Sequence, residues 1–316
     1  MIKTPDFFNI TIRNGVLYGY VIDVINRASE LVILAVGMTL VTAASGGQDI
    51  SVGAVMAVAA AVCCQILSGG ASSVTAYQNS LVLAVIAALL ASALCGAFNG
   101  LLVAKLNIQP MVATLILYTA GRGIAQLVTN GQITYIRVES FQMAGGYIGK
   151  SPVPTPVLFA IVTVVIAIIV VLIIAVLLKY FKFGRKLYAI GGNRQSALMM
   201  GLDVKKTMFR AYVLDGFLAG LGGFLFCLNS CAGFVEQAKG LEMDAISSAV
   251  LGGTLLSGGV GTPIGSMFGV LIKGTISSLI TAQGTLSSWW VRIVLSALLC
   301  FFIVIQSVLA SAKKKK

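Results

Sequence analysis

Seven polar or charged side chains, Asn99, Arg122, Gln126, Asp215, Asn229, Lys273 and Arg292, fall inside otherwise apolar stretches of this 316-residue chain. A polar group in hydrocarbon is costly, so such residues face protein or a water-filled cavity, where they bind, relay or hold structure. Arg122 and Gln126 are four apart and share one helix face. Asp49 belongs with them, in the stretch Gly46-Gly47-Gln48-Asp49-Ile50-Ser51-Val52-Gly53 between two apolar segments. Two uses fit that stretch. The commoner is a helix cap, in which Asp49 or Ser51 accepts from free N–H groups of the helix that follows. The other is a broken-helix site beside a transport path. Asp49, Asn99, Arg122 and Gln126 are therefore the candidates for a substrate pathway, with a purely structural role standing beside that reading. Lys273 and Arg292 lie near segment ends and are expected to snorkel. Asp215 has Arg210 as its neighbour for pairing.

Several chemistries are excluded. The chain has no histidine, which removes His-based catalysis, His metal ligation and His proton relays. Residues Ala144 to Ser151 approach a phosphate-binding loop, but Ala stands at the first glycine and Pro152, Pro154 and Pro156 follow where a helix must open. No ATP site, metal or other cofactor is therefore expected in this chain. The six cysteines, Cys63, Cys64, Cys95, Cys227, Cys231 and Cys300, all lie in apolar segments and read as small core-filling residues. The net charge of +12 comes without an aromatic-interleaved basic surface, so nucleic acid is not an expected partner.

The elements that must position these residues are membrane helices. Hydrophobic residues make up 58% of the chain and charged residues 10%, against about 25% charged in soluble domains. Nine apolar segments follow one another: Ala28 to Ala44, Ser51 to Leu67, Ser80 to Ala104, Pro110 to Val128, Val157 to Leu178, Met208 to Cys231, Met243 to Leu256, Ile264 to Ile280 and Leu286 to Ala310. Most have the length of spanning helices, and none alternates as a membrane strand would. The expected fold is all-α: one polytopic transmembrane bundle of about nine spans over residues 1–316. The segment from Met243 is short and rich in small residues, which predicts a broken, re-entrant or buried helix. Glycine pairs four apart, Gly96 and Gly100, Gly216 and Gly220, Gly265 and Gly269, predict close helix crossings.

Basic residues orient the bundle. With the Lys313 to Lys316 tail in the cytoplasm, the segment Lys179 to Arg210 falls on the same side. That side then holds 13 of the 22 basic residues, six lie outside and three lie within spans. Thr129 to Thr155 is placed outside. Nine spans also put the N-terminus outside, which fits a chain whose first span is missing or a tail drawn across by later helices. Within the basic segment, Gly191-Gly192-Asn193 is a helix-start signal. Ser196 to Met200 then reads as a short helix ending at Gly201, with Ala197, Leu198 and Met200 on its apolar face. Such a helix either lies on anionic lipid or docks in the groove of a cytoplasmic partner.

Residues GRKLYAIGGNRQSALMMGLDV resemble the coupling segment of the ribose and galactofuranose type of ABC-transporter permease. GMTLVTAASGGQDISVGAV, IQPMVATLILYTAGRGIAQLVTNGQ, EMDAISSAVLGGTLLSGGVGTPIG and GTLSSWW resemble further elements of that family, in order along nearly the whole chain. Residues up to about Pro156 are most similar to one of two paired galactofuranose permeases, and those from about Phe183 to the other. Gln48 and Asp215 depart from the family pattern. The resemblance implies ten spans, the first ahead of Pro5 to Phe8, and an inner-membrane protein importing a monosaccharide such as galactofuranose or ribose. It implies a second permease copy or paralogue, cytoplasmic ATP-binding subunits that use the ATP, and an extracytoplasmic sugar-binding protein. Residues 182–207 become the coupling segment, with Asn193, Ser196, Ala197, Leu198, Met200 and Gly201 at the ATPase contact. The competing class is an ion-coupled secondary transporter of a small polar solute, which would work through intramembrane carboxylates such as Asp215. An intramembrane enzyme would need a nucleophile or metal constellation that the sequence does not display.

Overall fold

The computed structural model describes residues 7–13, 16–144, 156–236, 238–283 and 288–314. A short hairpin, β1 (Thr11–Arg13) and β2 (Val16–Tyr18), leads into α1 (Tyr20–Ser45). Then come α2 (Val52–Ser68), β3 (Ser73–Val74) and α3 (Leu81–Gly100), the last continued by a π-helical turn at Leu101–Lys105. Next are α4 (Pro110–Val128), β4 (Thr134–Ile136), α5 (Glu139–Ala144), α6 (Pro156–Tyr180), α7 (Lys182–Gly192) and α8 (Arg194–Met199). The chain ends with α9 (Val204–Ser230), β5 (Ala232–Gly233), α10 (Leu241–Leu251), α11 (Pro263–Gln283) and α12 (Ser288–Lys314). Each of the nine apolar segments becomes a helix, so the bundle is all-α apart from these short strands. Among the described residues, six helical stretches are long and apolar enough to cross a membrane, while α2 and Trp289–Ile305 are shorter.

Glycines end the first two helices where the chain must turn left-handed. Gly46 closes α1 at φ 64°, its N–H bonded to the Thr42 carbonyl at 3.0 Å, and Gly69 closes α2 at φ 60°. α1, α2 and α9 form the centre. α1 is buried almost continuously from Val32 to Ala44, which no amphipathic surface helix would be. α3 and α6 instead carry exposed apolar rows, such as Leu83, Leu90 and Leu94 on α3 and Ile169, Leu172 and Ile173 on α6. Exposed apolar rows of this kind on spanning helices suit contact with lipid hydrocarbon.

All three glycine pairs make the close crossings their spacing predicts. Gly96 of α3 and Gly216 of α9 meet so closely that a Cβ on Gly216 would lie 2.7 Å from the Gly96 Cα. Gly265 and Gly269 of α11 bring its backbone onto Gly252 and Ser248 at the end of α10. α10 has 11 residues, about 16 Å of rise against a hydrocarbon core of about 30 Å. The following loop packs back on α1 and α7: the Gly259 N–H donates to the Ala43 carbonyl at 3.0 Å and the Tyr188 hydroxyl to the Gly261 carbonyl at 2.5 Å. Burial pushes the Tyr188 phenol above its ordinary range, so it remains a donor there.

The bundle has two distinct ends. At one, β4 pairs parallel with β3 and antiparallel with β5, tying together the chain that leaves α2, α4 and α9. At the other lie α7, α8 and the turns after α1 and α10. The 27 residues of α9 separate the two by about 40 Å.

Candidate transport site and coupling face

The start of α2 is the centre of two polar clusters. In the first, the Ser51 N–H and hydroxyl both donate to Asp49 Oδ1, at 2.7 and 2.6 Å. The capping expectation therefore holds only in part: Asp49 takes the N–H of the cap residue itself, and Ser51 makes no side-chain cap. Asn99 of α3 donates to Asp49 Oδ2 at 3.2 Å and to the Ser51 hydroxyl oxygen at 2.8 Å. Asp49 and Asn99, 50 residues apart, are thus one buried unit. Asp215 does not turn to Arg210, which is exposed; it is 1% exposed itself, lies against Gly37 of α1, and both its carboxyl oxygens are buried without a hydrogen-bond partner. The helical register dictates this, because Asp215 lies on the face of α9 that carries Tyr212 and Gly216 toward α3 and α1.

The second cluster involves a residue the sequence reading passed over. Arg122 of α4 pairs with Glu242 of α10 at 3.4 Å, donates to the Val235 carbonyl at 3.0 Å and lies over the Tyr118 ring. Glu242 also accepts the Gly240 N–H at 3.1 Å and presses on Gly53, where a side chain would collide with it. Glu242 stands just before the apolar segment counted from Met243, so it looked like a boundary residue. The signal that could have found it is Arg122 itself, since a cation inside a span needs an anion. Gln126 shares the Arg122 face but is exposed, and the structure does not bring it to either cluster. Lys273 is not at a helix end: it sits within α11, 6% exposed, and forms an ion pair with Asp244 of α10. Asn229 donates to Glu30 between α9 and α1.

At the opposite end from the sheet, residues 182–207 fold differently from the expected loop and single helix. Lys182–Gly192 is a helix, α7, with Gly184, Leu187 and Ile190 buried at three-residue spacing. Its three basic residues and three glycines obscured that period. The Gly191 backbone touches Ala43 and Gly259, where a Cβ has no room. Asn193 caps α8 by accepting the Ser196 N–H at 3.0 Å, and Gly201 turns left-handed at φ 75°. The expected apolar face divides in two. Ala197 is fully buried against Val41, Ile190, Val204 and Met208, so it anchors α8 to the bundle. Leu198, Met199 and Met200 point outward, 48%, 83% and 67% exposed. Met199, which the sequence reading did not place on this face, is the most exposed of the three.

Residues 20–303 match the family described as branched-chain amino acid transport system / permease component. The chain belongs to this family of membrane-spanning permease subunits. Over 292 residues it is 37% identical to the inner membrane ABC transporter permease protein YjfF of Escherichia coli K12, covering 90% of this chain and 82% of that protein. It is 36% identical over 281 residues to the galactofuranose transporter permease protein YtfT of the same strain, 89% and 77% of the two chains. It is 33% identical over 308 residues to that strain's ribose import permease protein RbsC, 96% and 88% of the two chains. No solved structure matches the chain. A multi-pass inner-membrane permease of an ABC importer is accordingly the class that helices and relatives both support, in place of an ion-coupled secondary transporter.

Proposed function

We propose that this chain moves a monosaccharide across the membrane, with galactofuranose and ribose as the first candidates because relatives bearing those names align over most of its length. The partners implied are two cytoplasmic ATP-binding subunits, an extracytoplasmic sugar-binding protein and a second permease copy or paralogue. ATP is used by the partner subunits, and residues 1–316 act as one permease domain with 182–207 as its coupling segment. The substrate path runs past the two clusters at the start of α2, so Asp49, Asn99 and Arg122 shape it by holding α2, α3, α4 and α10 in register; Gln126 contributes from the exposed face of α4.

The observation that carries the reading is the outward apolar face of α8. Three large apolar side chains project from a capped, bundle-anchored turn, the geometry of an anchor for a partner groove. Leu198→Asp should place an unpaired charge in that contact, at a cost of order 2–5 kcal/mol by analogy with other interfaces. Co-purification of the ATP-binding subunit and sugar-stimulated ATP hydrolysis are expected to fall together, while membrane insertion stays normal. A helix lying on lipid instead gives intact assembly and altered insertion, and unchanged assembly and uptake would remove the coupling role.

A further inference from the structure

At the corner where α6 turns into α7, apolar, aromatic and basic side chains follow one another in order. Ile169, Ile173 and Val176 are exposed at spacings of four and three residues, which places them on one face of α6. Lys179 and Tyr180 are exposed one turn further along that face, and the exposed Phe181 and Lys182 follow them. Gly184 brings the first turn of α7 onto the last turn of α6, so closely that a Cβ there would overlap the Leu178 backbone. α7 then buries Gly184, Leu187 and Ile190, which leaves Lys182 and Arg185 exposed beside the end of α6.

This corner holds cations without an anion. No Asp or Glu occurs between Glu139 and Asp203. The ion pairs among the described residues are Arg122–Glu242, Lys239–Glu236 and Lys273–Asp244, none of them here. The Lys179 ammonium lies over the Tyr180 ring, 5.4 Å from its centre, a contact that steadies the side chain without neutralising it. Other basic residues at this end are placed differently. Arg194 donates to Asn107 at 2.6 Å, and Asp203 caps the helix that carries Lys205 and Lys206.

We propose that the α6–α7 corner binds an anionic phospholipid, its acyl chains along the exposed face of α6 and its phosphate headgroup among Lys179, Lys182 and Arg185. Charge and depth point the same way. Apolar rows on a spanning helix meet hydrocarbon, aromatic rings sit at headgroup level, and the cations beyond them meet lipid phosphate. A free anion would satisfy the cations and leave the apolar face that leads to them unused. A cytoplasmic protein would reach the cations but not that face, which lies at the depth of the hydrocarbon.

The test is native mass spectrometry of the full chain in detergent, titrated with phosphatidylglycerol and with phosphatidylcholine of identical acyl chains. The wild type should retain phosphatidylglycerol in preference. Lys182→Gln should weaken that binding about fivefold, the usual worth of one cation beside an anionic lipid surface. Lys179→Gln, Lys182→Gln and Arg185→Gln combined should abolish the preference. Lys205→Gln, Lys206→Gln and Arg210→Gln combined remove the same charge from the start of α9 and should leave it intact. The wild-type comparison is decisive even if a combined variant does not insert: equal retention of the two lipids overturns the proposal. So does a preference that survives the first combination, or one that both combinations abolish alike, which would mark a diffuse field. Displacement of the lipid by inorganic phosphate overturns it as well, because the site then takes a free anion.

Discussion

Glu242→Gln isolates one charge. The amide keeps an oxygen for the Gly240 N–H, bonded to the carboxylate at 3.1 Å, and preserves the volume against Gly53. What it removes is the anion opposite Arg122. The Arg122 and Glu242 side chains are 14% and 3% exposed, so solvent does little to screen the change. Deleting one partner of a buried ion pair costs about 3–5 kcal/mol, because the remaining charge is stranded. The Val235 carbonyl and the Tyr118 ring still face the guanidinium, which places the expectation near 3 kcal/mol. Arg122→Gln should cost a similar amount. The double variant should return to within about 1 kcal/mol of wild type, since replacing both members of such a pair is often nearly neutral. Unfolding in mixed micelles titrated with a denaturing detergent measures all four corners of the cycle. A stable Glu242→Gln, or a double variant as poor as the sum of the singles, would refute the claim that this pair locks α4 to α10.

Two adjacent glycines give a sharper contrast for coupling. Gly191→Ala should push α7 away from Ala43 and Gly259 and abolish most uptake, whereas Gly192→Ala, with nothing within 4 Å of its added methyl, should transport normally; equal uptake by the two variants would show that the α7 contact is dispensable. The packing of α2 on α9 is open to a chemical check, because the Cys64 and Cys227 sulfurs lie 2.8 Å apart. Mild oxidation should link them within one chain, detected by mass spectrometry of unreduced peptides. Cys64→Ser should abolish the link and Cys300→Ser should leave it.

The helices were legible because hydrocarbon imposes a simple rule: a spanning segment must be long, apolar and internally hydrogen-bonded. The glycine pairs were legible for a related reason, since a Gly at every fourth position leaves a groove on one face. Partner choice was not. Asn99 and Asp49 are separated by a full helix, and only the rotation of α3 decides that its amide meets that carboxylate. Lys273 looked like a snorkelling residue because distance from a segment end was the available measure. Its burial follows from how α10 folds back on α11, which no single segment reveals. α7 was missed because basic residues interrupt the local hydropathy, although the Gly184, Leu187, Ile190 period was present.

The short strands have a mechanical consequence. The Tyr135 N–H bonds to the Ser72 carbonyl at 2.9 Å, the Arg137 N–H to Val74 at 2.8 Å and the Ile136 N–H to Cys231 at 2.9 Å. These bonds rivet three helices at one end, just beyond their last turns. At the other end the turn before α2 meets α4 through side chains: the Ile50 N–H donates to the Thr114 hydroxyl oxygen, and Pro110 lies against Gly47. Separating α2, α4 and α9 at the riveted end means breaking backbone hydrogen bonds; parting them at the other means sliding side chains. The bundle is thus joined by backbone hydrogen bonds at the sheet end and by side-chain contacts at the end where α8 presents its methionines.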